Sequence, residues 1–224
     1  MASFCAGSQS LDDTLAGLHE RGRAGEPLKL GIMGGTFDPI HVGHLILAEQ
    51  VHDALGLDFV LFIPTGNPSF KRDKLVRPAD DRLRMVELAI EGNPHFLVSD
   101  MEVVREGVTY TLDTLRELHA LLPAAELFFI MGSDTLLTLD HWRASEELAK
   151  LAIFVGVNRP GDSLASEEDL GHLRALGFKA LLLDAPALEV SSSDIRQRLE
   201  SGRSVRYLVP DSVIRYADER RLYR

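Results

Sequence analysis

Residues 28–57 read LKLGIMGGTFDPIHVGHLILAEQVHDALGL, and the whole fold follows from this stretch. Leu28–Met33 is a short apolar run that ends in Gly34-Gly35. A run of that length closed by glycines reads as a buried strand entering a tight turn. From Val42 the spacing changes, with Leu45, Ala48, Val51 and Leu55 recurring at helical intervals, which predicts a helix over 42–57.

The same alternation repeats down the chain. Apolar runs at 59–63, 96–98, 127–131, 152–157 and 180–183 are predicted strands. Helical spacing marks 80–90, 111–121, 192–200 and 211–219. Strands alternating with helices predict an α/β fold with a mainly parallel sheet. Val60-Leu61-Phe62-Ile63 has the unbroken apolar character of a strand covered on both sides. In such sheets ligands bind beyond the carboxyl ends of the strands, so the segments that follow strands are searched first. Residues 28–224 fit a single domain. Residues 1–27 read as an extension, either a frayed terminus or a short amphipathic helix carrying Leu11, Leu15 and Leu18. The stretch 161–177 is polar and then helical, reads most simply as a surface excursion and carries no assigned function.

Composition excludes several classes. The single cysteine, Cys5, rules out an internal disulfide framework and a cysteine-based zinc site. With 34 acidic against 24 basic residues the net charge is −10, which argues against a nucleic-acid partner. The N-terminus lacks the cationic and apolar regions of a signal peptide. No apolar run approaches the roughly 20 residues that span a bilayer, so no membrane partner is expected and the location is read as cytoplasmic.

Chemistry concentrates in Gly34-Gly35-Thr36-Phe37-Asp38-Pro39-Ile40-His41-Val42-Gly43-His44, between the first strand and the first helix. The glycines let backbone approach a ligand closely. His41 and His44, three apart at a helix start, can project from one face. Gly43 removes a side chain where something large has to pass. A helix N-terminus attracts anions through its N–H groups and dipole. The dipole disfavours a charged imidazole, whereas bound polyphosphate favours one, so protonation should accompany ligand binding. That suits stabilisation of a transferring phosphoryl group. A pair of histidines that merely caps the helix is the plainer alternative. Zinc is poorly supported, because H-E-x-x-H is absent; so are G-x-G-x-x-G and the Walker A loop.

Two further segments point the same way. Ser191-Ser192-Ser193-Asp194-Ile195-Arg196 places three hydroxyls at a helix start, with Arg196 one turn in, where it can reach back to a phosphate. The loop Pro64–Arg72 ends in cations. From Pro64 to Arg84 six basic and three acidic residues leave a local +3 in an acidic protein, and Lys71 could meet phosphate there.

With these residues quoted, the chain resembles the bacterial nicotinate-nucleotide adenylyltransferases of the HxGH nucleotidyltransferase superfamily. The likeness runs from about Leu28 to Arg224. It rests on GGTFDPIHVGH and SSSDIR. Further matches are Arg105-Glu106-Gly107 through Thr109-Tyr110-Thr111, Gly132-Ser133-Asp134, Trp142 and the closing Arg221-Leu222-Tyr223. It implies a Rossmann-like, doubly wound sheet with helices on both faces. The implied reaction joins ATP to nicotinate mononucleotide, giving nicotinate adenine dinucleotide and pyrophosphate in NAD biosynthesis. Mg²⁺ would be bound mainly through the ATP phosphates, with no protein metal ligand named.

Residue by residue, the resemblance implies that His41 and His44 contact the ATP phosphates, His44 nearest the α-phosphate. Gly34, Gly35, Thr36, Phe37 and Gly132 would line the ATP site. Ser192, Ser193 and Arg196 would hold the β/γ end, Lys71 would help, and Asp134 would meet the adenosine ribose. Thr111 and Trp142 would frame the pyridine ring. Three departures stand out: Phe70 replaces the family's usual histidine, Arg143 replaces an aromatic residue after the tryptophan, and Ser193 replaces a threonine. A homo-oligomer is compatible with the sequence. The rival readings are another superfamily transferase, such as one acting on phosphopantetheine, and a non-catalytic nucleotide sensor.

Overall fold

The computed structural model describes residues 4–6, 18, 20, 28–67, 76–158, 165–184 and 189–223. Its strands are β1 (Phe4–Ala6), β2 (Leu28–Gly35), β3 (Phe59–Pro64), β4 (Phe96–Ser99), β5 (Ala125–Gly132), β6 (Ile153–Asn158) and β7 (Lys179–Asp184). Its helices are α1 (Val42–Leu55), α2 (Ala79–Ile90), α3 (Thr111–Leu121), α4 (Ser133–Leu136), α5 (Ser145–Leu148), α6 (Glu167–Ala175), α7 (Ser192–Glu200) and α8 (Asp211–Glu219). A short 3₁₀ turn spans Leu139–His141.

The sheet runs in the order β1-β4-β3-β2-β5-β6-β7. The pairs from β4 to β7 are all parallel, and β1 alone joins antiparallel, on the edge of β4. This is the doubly wound α/β arrangement expected from the alternating pattern. The chain winds outward from β2 in one direction and from β5 in the other. The carboxyl ends of β2 and β5 therefore flank the point where the strand order reverses, the place where such sheets hold ligands.

Alternation along each strand divides the core in two. Leu61, Ile63, Leu127, Phe129 and Met131 point to one face, where Leu115, Leu118, Leu136, Leu148 and Leu170 cover them. Val60, Phe62, Phe128 and Ile130 point to the other, under Val51, Val86, Ile195 and Val213. Helices α3 to α6 thus cover one side, and α1, α2, α7 and α8 the other.

The described part of the extension adds one element that its sequence reading lacked. Phe4–Ala6 adds a strand, pairing Phe4 with Ser99 and Ala6 with Leu97. Leu18 is buried in the first core layer; Leu11 and Leu15 lie outside the described residues. Three residues are too few to display strand periodicity, so this pairing is set by the open edge of β4 rather than by local pattern. The stretch after 161 carries α6 where its helical part was expected, but Leu170 and Leu173 are buried in the same layer, so it packs on the core rather than running over the surface.

Candidate active site

β2 delivers Gly34 and Gly35 to the switch point, and the chain then turns through Asp38-Pro39 into α1. His41 is the N-cap of α1, with extended backbone at φ −145°. Its own N–H donates to Nδ1 of His44 at 3.2 Å. The two imidazoles stack, centroids 3.7 Å apart and planes 27° from parallel. Because Nδ1 of neutral His44 accepts, its proton sits on Nε2, which makes that atom a donor. The edge of Phe37 supports His44 from 5.1 Å. Gly43 has a nearer purpose than passage for a ligand. A Cβ there would fall 3.0 Å from His41 Nδ1, so the glycine gives the His41 ring its place.

The distant serine–arginine segment docks on this turn. The Ser192 hydroxyl donates to the Pro39 carbonyl at 2.9 Å. Arg196 donates through Nη1 to the Asp38 carbonyl at 2.7 Å and through Nη2 to the Ser193 hydroxyl at 3.1 Å. Ser191 caps α7, accepting from the Asp194 N–H. The contacts from Ser192 and Arg196 join residues 153 and 158 positions apart, and they set the start of α7 beside the start of α1. Two helix N-termini therefore converge at one end of the sheet.

Sequence reasoning missed the supports beneath. Arg82 on α2 is 1% exposed. It donates to the carbonyls of Arg77 (2.9 Å), Thr36 (2.7 Å) and Gly66 (3.0 Å), tying the loop after β2 to the loop after β3. Burial pulls its pKa down, and the charge of Asp38 works against that. Asp38 is itself buried, accepting from the Tyr223 hydroxyl at 2.7 Å. Burial, then the negative charge of Asp38, push the Tyr223 phenol well above its usual range. Arg77 covers the Tyr223 ring at 4.7 Å and donates to the Leu222 carbonyl. The signal that could have found Arg82 is its place, with Asp81, on the α2 face that buries Met85, Val86 and Ile90.

A cavity of about 390 Å³ opens beside the histidines. Its walls include Gly34, Gly35, Thr36, His44, Gly132, Glu102, Thr111 and Trp142. Trp142 stands edge-on to Phe129, centroids 6.3 Å apart, and its Nε1–H donates to the Thr138 hydroxyl at 3.1 Å. Glu102 accepts from the Thr114 hydroxyl at 2.7 Å. Its carboxyl is pushed up by burial, against the Thr114 bond and the charge of Arg105. Phe37 lies buried beneath Gly35, while Asp134 is exposed in the first turn of α4. Lys71 and Phe70 lie outside the described residues. A second hollow, about 600 Å³, sits at the opposite end of α7, between Leu199 and Arg215, away from the histidines.

Among the described residues no three His, Cys, Asp or Glu side chains gather as a metal-ion set. Asp38 already accepts from Tyr223 and from the Arg77 N–H.

Known proteins resemble this chain in sequence and in fold. The cytidylyltransferase-like family model matches residues 32–198, from β2 to α7. A protein of Dehalococcoides mccartyi named "Probable nicotinate-nucleotide adenylyltransferase" is 50% identical over 198 residues, covering 88% of this chain and 97% of its own. One of Mycobacterium avium with the same name is 51% identical over 193 residues, 86% of this chain and 91% of its own. A solved nicotinic acid mononucleotide adenylyltransferase of Plasmodium falciparum, complexed with NaAD, superposes with a TM-score of 0.73. At 22% identity, over 88% of this chain and 97% of that one, it shows the shared fold. On these matches the chain belongs to the cytidylyltransferase-like family and, within it, to the nicotinate-nucleotide adenylyltransferases.

Proposed function

We propose that the chain transfers the adenylyl group of ATP to nicotinate mononucleotide, releasing pyrophosphate and forming nicotinate adenine dinucleotide. A phosphate oxygen of the mononucleotide attacks the α-phosphorus of ATP. The bond from that phosphorus to the bridging oxygen breaks, and pyrophosphate leaves with the electron pair. The attacking phosphate is already anionic at neutral pH, so no general base is required. Magnesium enters as part of the substrate, complexed to ATP.

The protein's work is positioning and charge stabilisation. Holding two polyanions in line can supply several kcal/mol, up to about 7–11 in favourable systems. Donors fixed where charge develops add to that without reorganising. The observation that carries the reading is the stacked His41–His44 pair at the switch point, joined through Asp38-Pro39 to the serine–arginine start of α7. In this reading His44 Nε2–H faces the α-phosphate and His41 lies beside it. Ser193, Arg196 and the α7 N-terminus hold the β/γ end. Ser192 acts more as a strut, since its hydroxyl is engaged with Pro39. Gly34, Gly35, Thr36 and Gly132 let the nucleotide lie against the strand ends. Asp134 meets the ribose, and Lys71 adds a phosphate contact. A cytoplasmic site of action suits these substrates, and no described helix is long and apolar enough to cross a membrane.

Thr111 and Trp142 frame the pyridine ring. Trp142→Ala should weaken mononucleotide binding by roughly 1–3 kcal/mol, the scale of base–aromatic stacking. Calorimetry checks this, and unchanged affinity would make the indole a packing group only.

Steady-state pyrophosphate release with ATP and a panel of acceptors tests the whole reading. The expected result is turnover on nicotinate mononucleotide. Turnover on phosphopantetheine alone would overturn it in favour of a sister transferase. ATP binding with no release on any acceptor would leave a nucleotide sensor.

A further inference from the structure

Trp142 has a second side. Beyond the indole lies another cavity, about 420 Å³, which shares Thr109, Thr111 and Trp142 with the histidine cavity. Leu112 and Leu148 make it largely apolar, and Arg143 is the permanently charged side chain on its wall. The Arg143 guanidinium carbon lies 4.5 Å from the centroid of the Tyr110 ring. A guanidinium over a ring face is held by the ring quadrupole, which narrows its orientations and leaves its charge intact. No ion pair among the described residues includes Arg143. The nearby acid, Asp140, turns instead to His141 at 3.7 Å and His172 at 3.5 Å.

We propose that Arg143 is a specificity-determining residue whose guanidinium recognises the ring carboxylate of the mononucleotide and makes the acid preferred over the amide. This rests on the adenylyl-transfer reading above. The physics follows from the charges of the two acceptors. An N-ribosylated pyridine ring is a cation. Against the indole of Trp142 that cation is attracted, and beside a guanidinium it is repelled unless an anion stands between them. Nicotinate mononucleotide brings such an anion on the ring, whereas the amide brings a neutral group. The same side chain thus helps one acceptor and opposes the other, which is discrimination by difference. The planar fork of arginine also matches a carboxylate with two parallel N–H bonds. On the far side of the shared wall, Glu102 opposes an incoming carboxylate less than an exposed acid would, because burial favours its neutral form.

The test measures kcat/KM for nicotinate and nicotinamide mononucleotides on the full chain, as wild type, Arg143→Gln and Arg143→Lys. Arg143→Gln should lower the acid's value by about tenfold, the scale of a charge-assisted bond at an exposed site. The loss should appear in KM with kcat nearly unchanged, and the amide should hold or improve. Arg143→Lys should recover part of the acid preference, and added salt should erode that preference in the wild type. An acid-to-amide ratio unchanged in Arg143→Gln, or an equal loss on both acceptors, overturns the role of Arg143 while leaving adenylyl transfer intact. A wild type inactive on nicotinate mononucleotide overturns the functional reading itself.

Discussion

Replacing His44 by alanine should leave a folded chain whose turnover is lower by about a hundredfold or more, the loss typical of one transition-state donor. The geometry makes the effect specific to chemistry. Nδ1 of His44 is occupied by the His41 N–H at 3.2 Å, so the ring's donor is Nε2. The same bond contributes to the start of α1, and its loss costs only about 0.5–2 kcal/mol, the range for a helix cap. That should move the melting temperature by a few degrees in a domain of this size. Pyrophosphate release and a thermal melt on the same preparation separate the two. Near-normal turnover in a variant that melts close to wild type would remove His44 from the mechanism.

Arg82→Leu should be the most destabilising of the substitutions considered, by about 3–5 kcal/mol, the range for breaking a buried charged network. A native domain holds only about 5–15 kcal/mol in all, so this is a large share. Leucine fills part of the volume but takes from the half-buried carbonyls of Thr36, Gly66 and Arg77 the donor that all three share. It also leaves the buried Asp38 without a positive neighbour that offsets its charge. Arg82→Lys should recover little, since a single ammonium cannot replace a three-pronged planar donor. Urea unfolding monitored by circular dichroism checks the magnitude. A loss below 1 kcal/mol would mean that the loops after β2 and β3 hold their places without this side chain.

The parts that could be read from sequence were those with local signatures. The apolar runs from Leu28 onward and the helical spacing at 42–57 carry their own periods, so six parallel strands and the main helices were expected near where they stand. The histidine string and the serine–arginine string are contiguous too, which made them readable as helix starts and as candidate anion sites. Their meeting was not written in either one. Ser192 reaches Pro39 and Arg196 reaches Asp38 only because the sheet winds twice and brings α7 back beside α1. The same holds for Tyr223 and Asp38, 185 positions apart. Glu102 gave no signal at all, as its burial depends on Thr114 and on the closeness of its backbone to Gly66. At Gly66 an added Cβ would lie 2.0 Å from the Glu102 carbonyl oxygen, which ties the β3 and β4 loops together at a glycine that sequence alone marks only as a turn. The edge strand at Phe4–Ala6 was missed because its partner, and not its own composition, defines it.

The docking of α7 on the Asp38-Pro39 turn has a consequence for synthesis. A ribosome releases the histidine pair early and the serine–arginine helix some 150 residues later, as the separation of Ser192 and Pro39 requires. Nascent chains elongate at about 5–20 residues per second, so the first half waits on the order of ten seconds for its counterpart. During that interval the triphosphate site proposed above is incomplete. On that proposal ATP offers the emerging half no complete site on which to fold. On the same proposal the sheet closes first, and nucleotide stabilises it by mass action only afterwards.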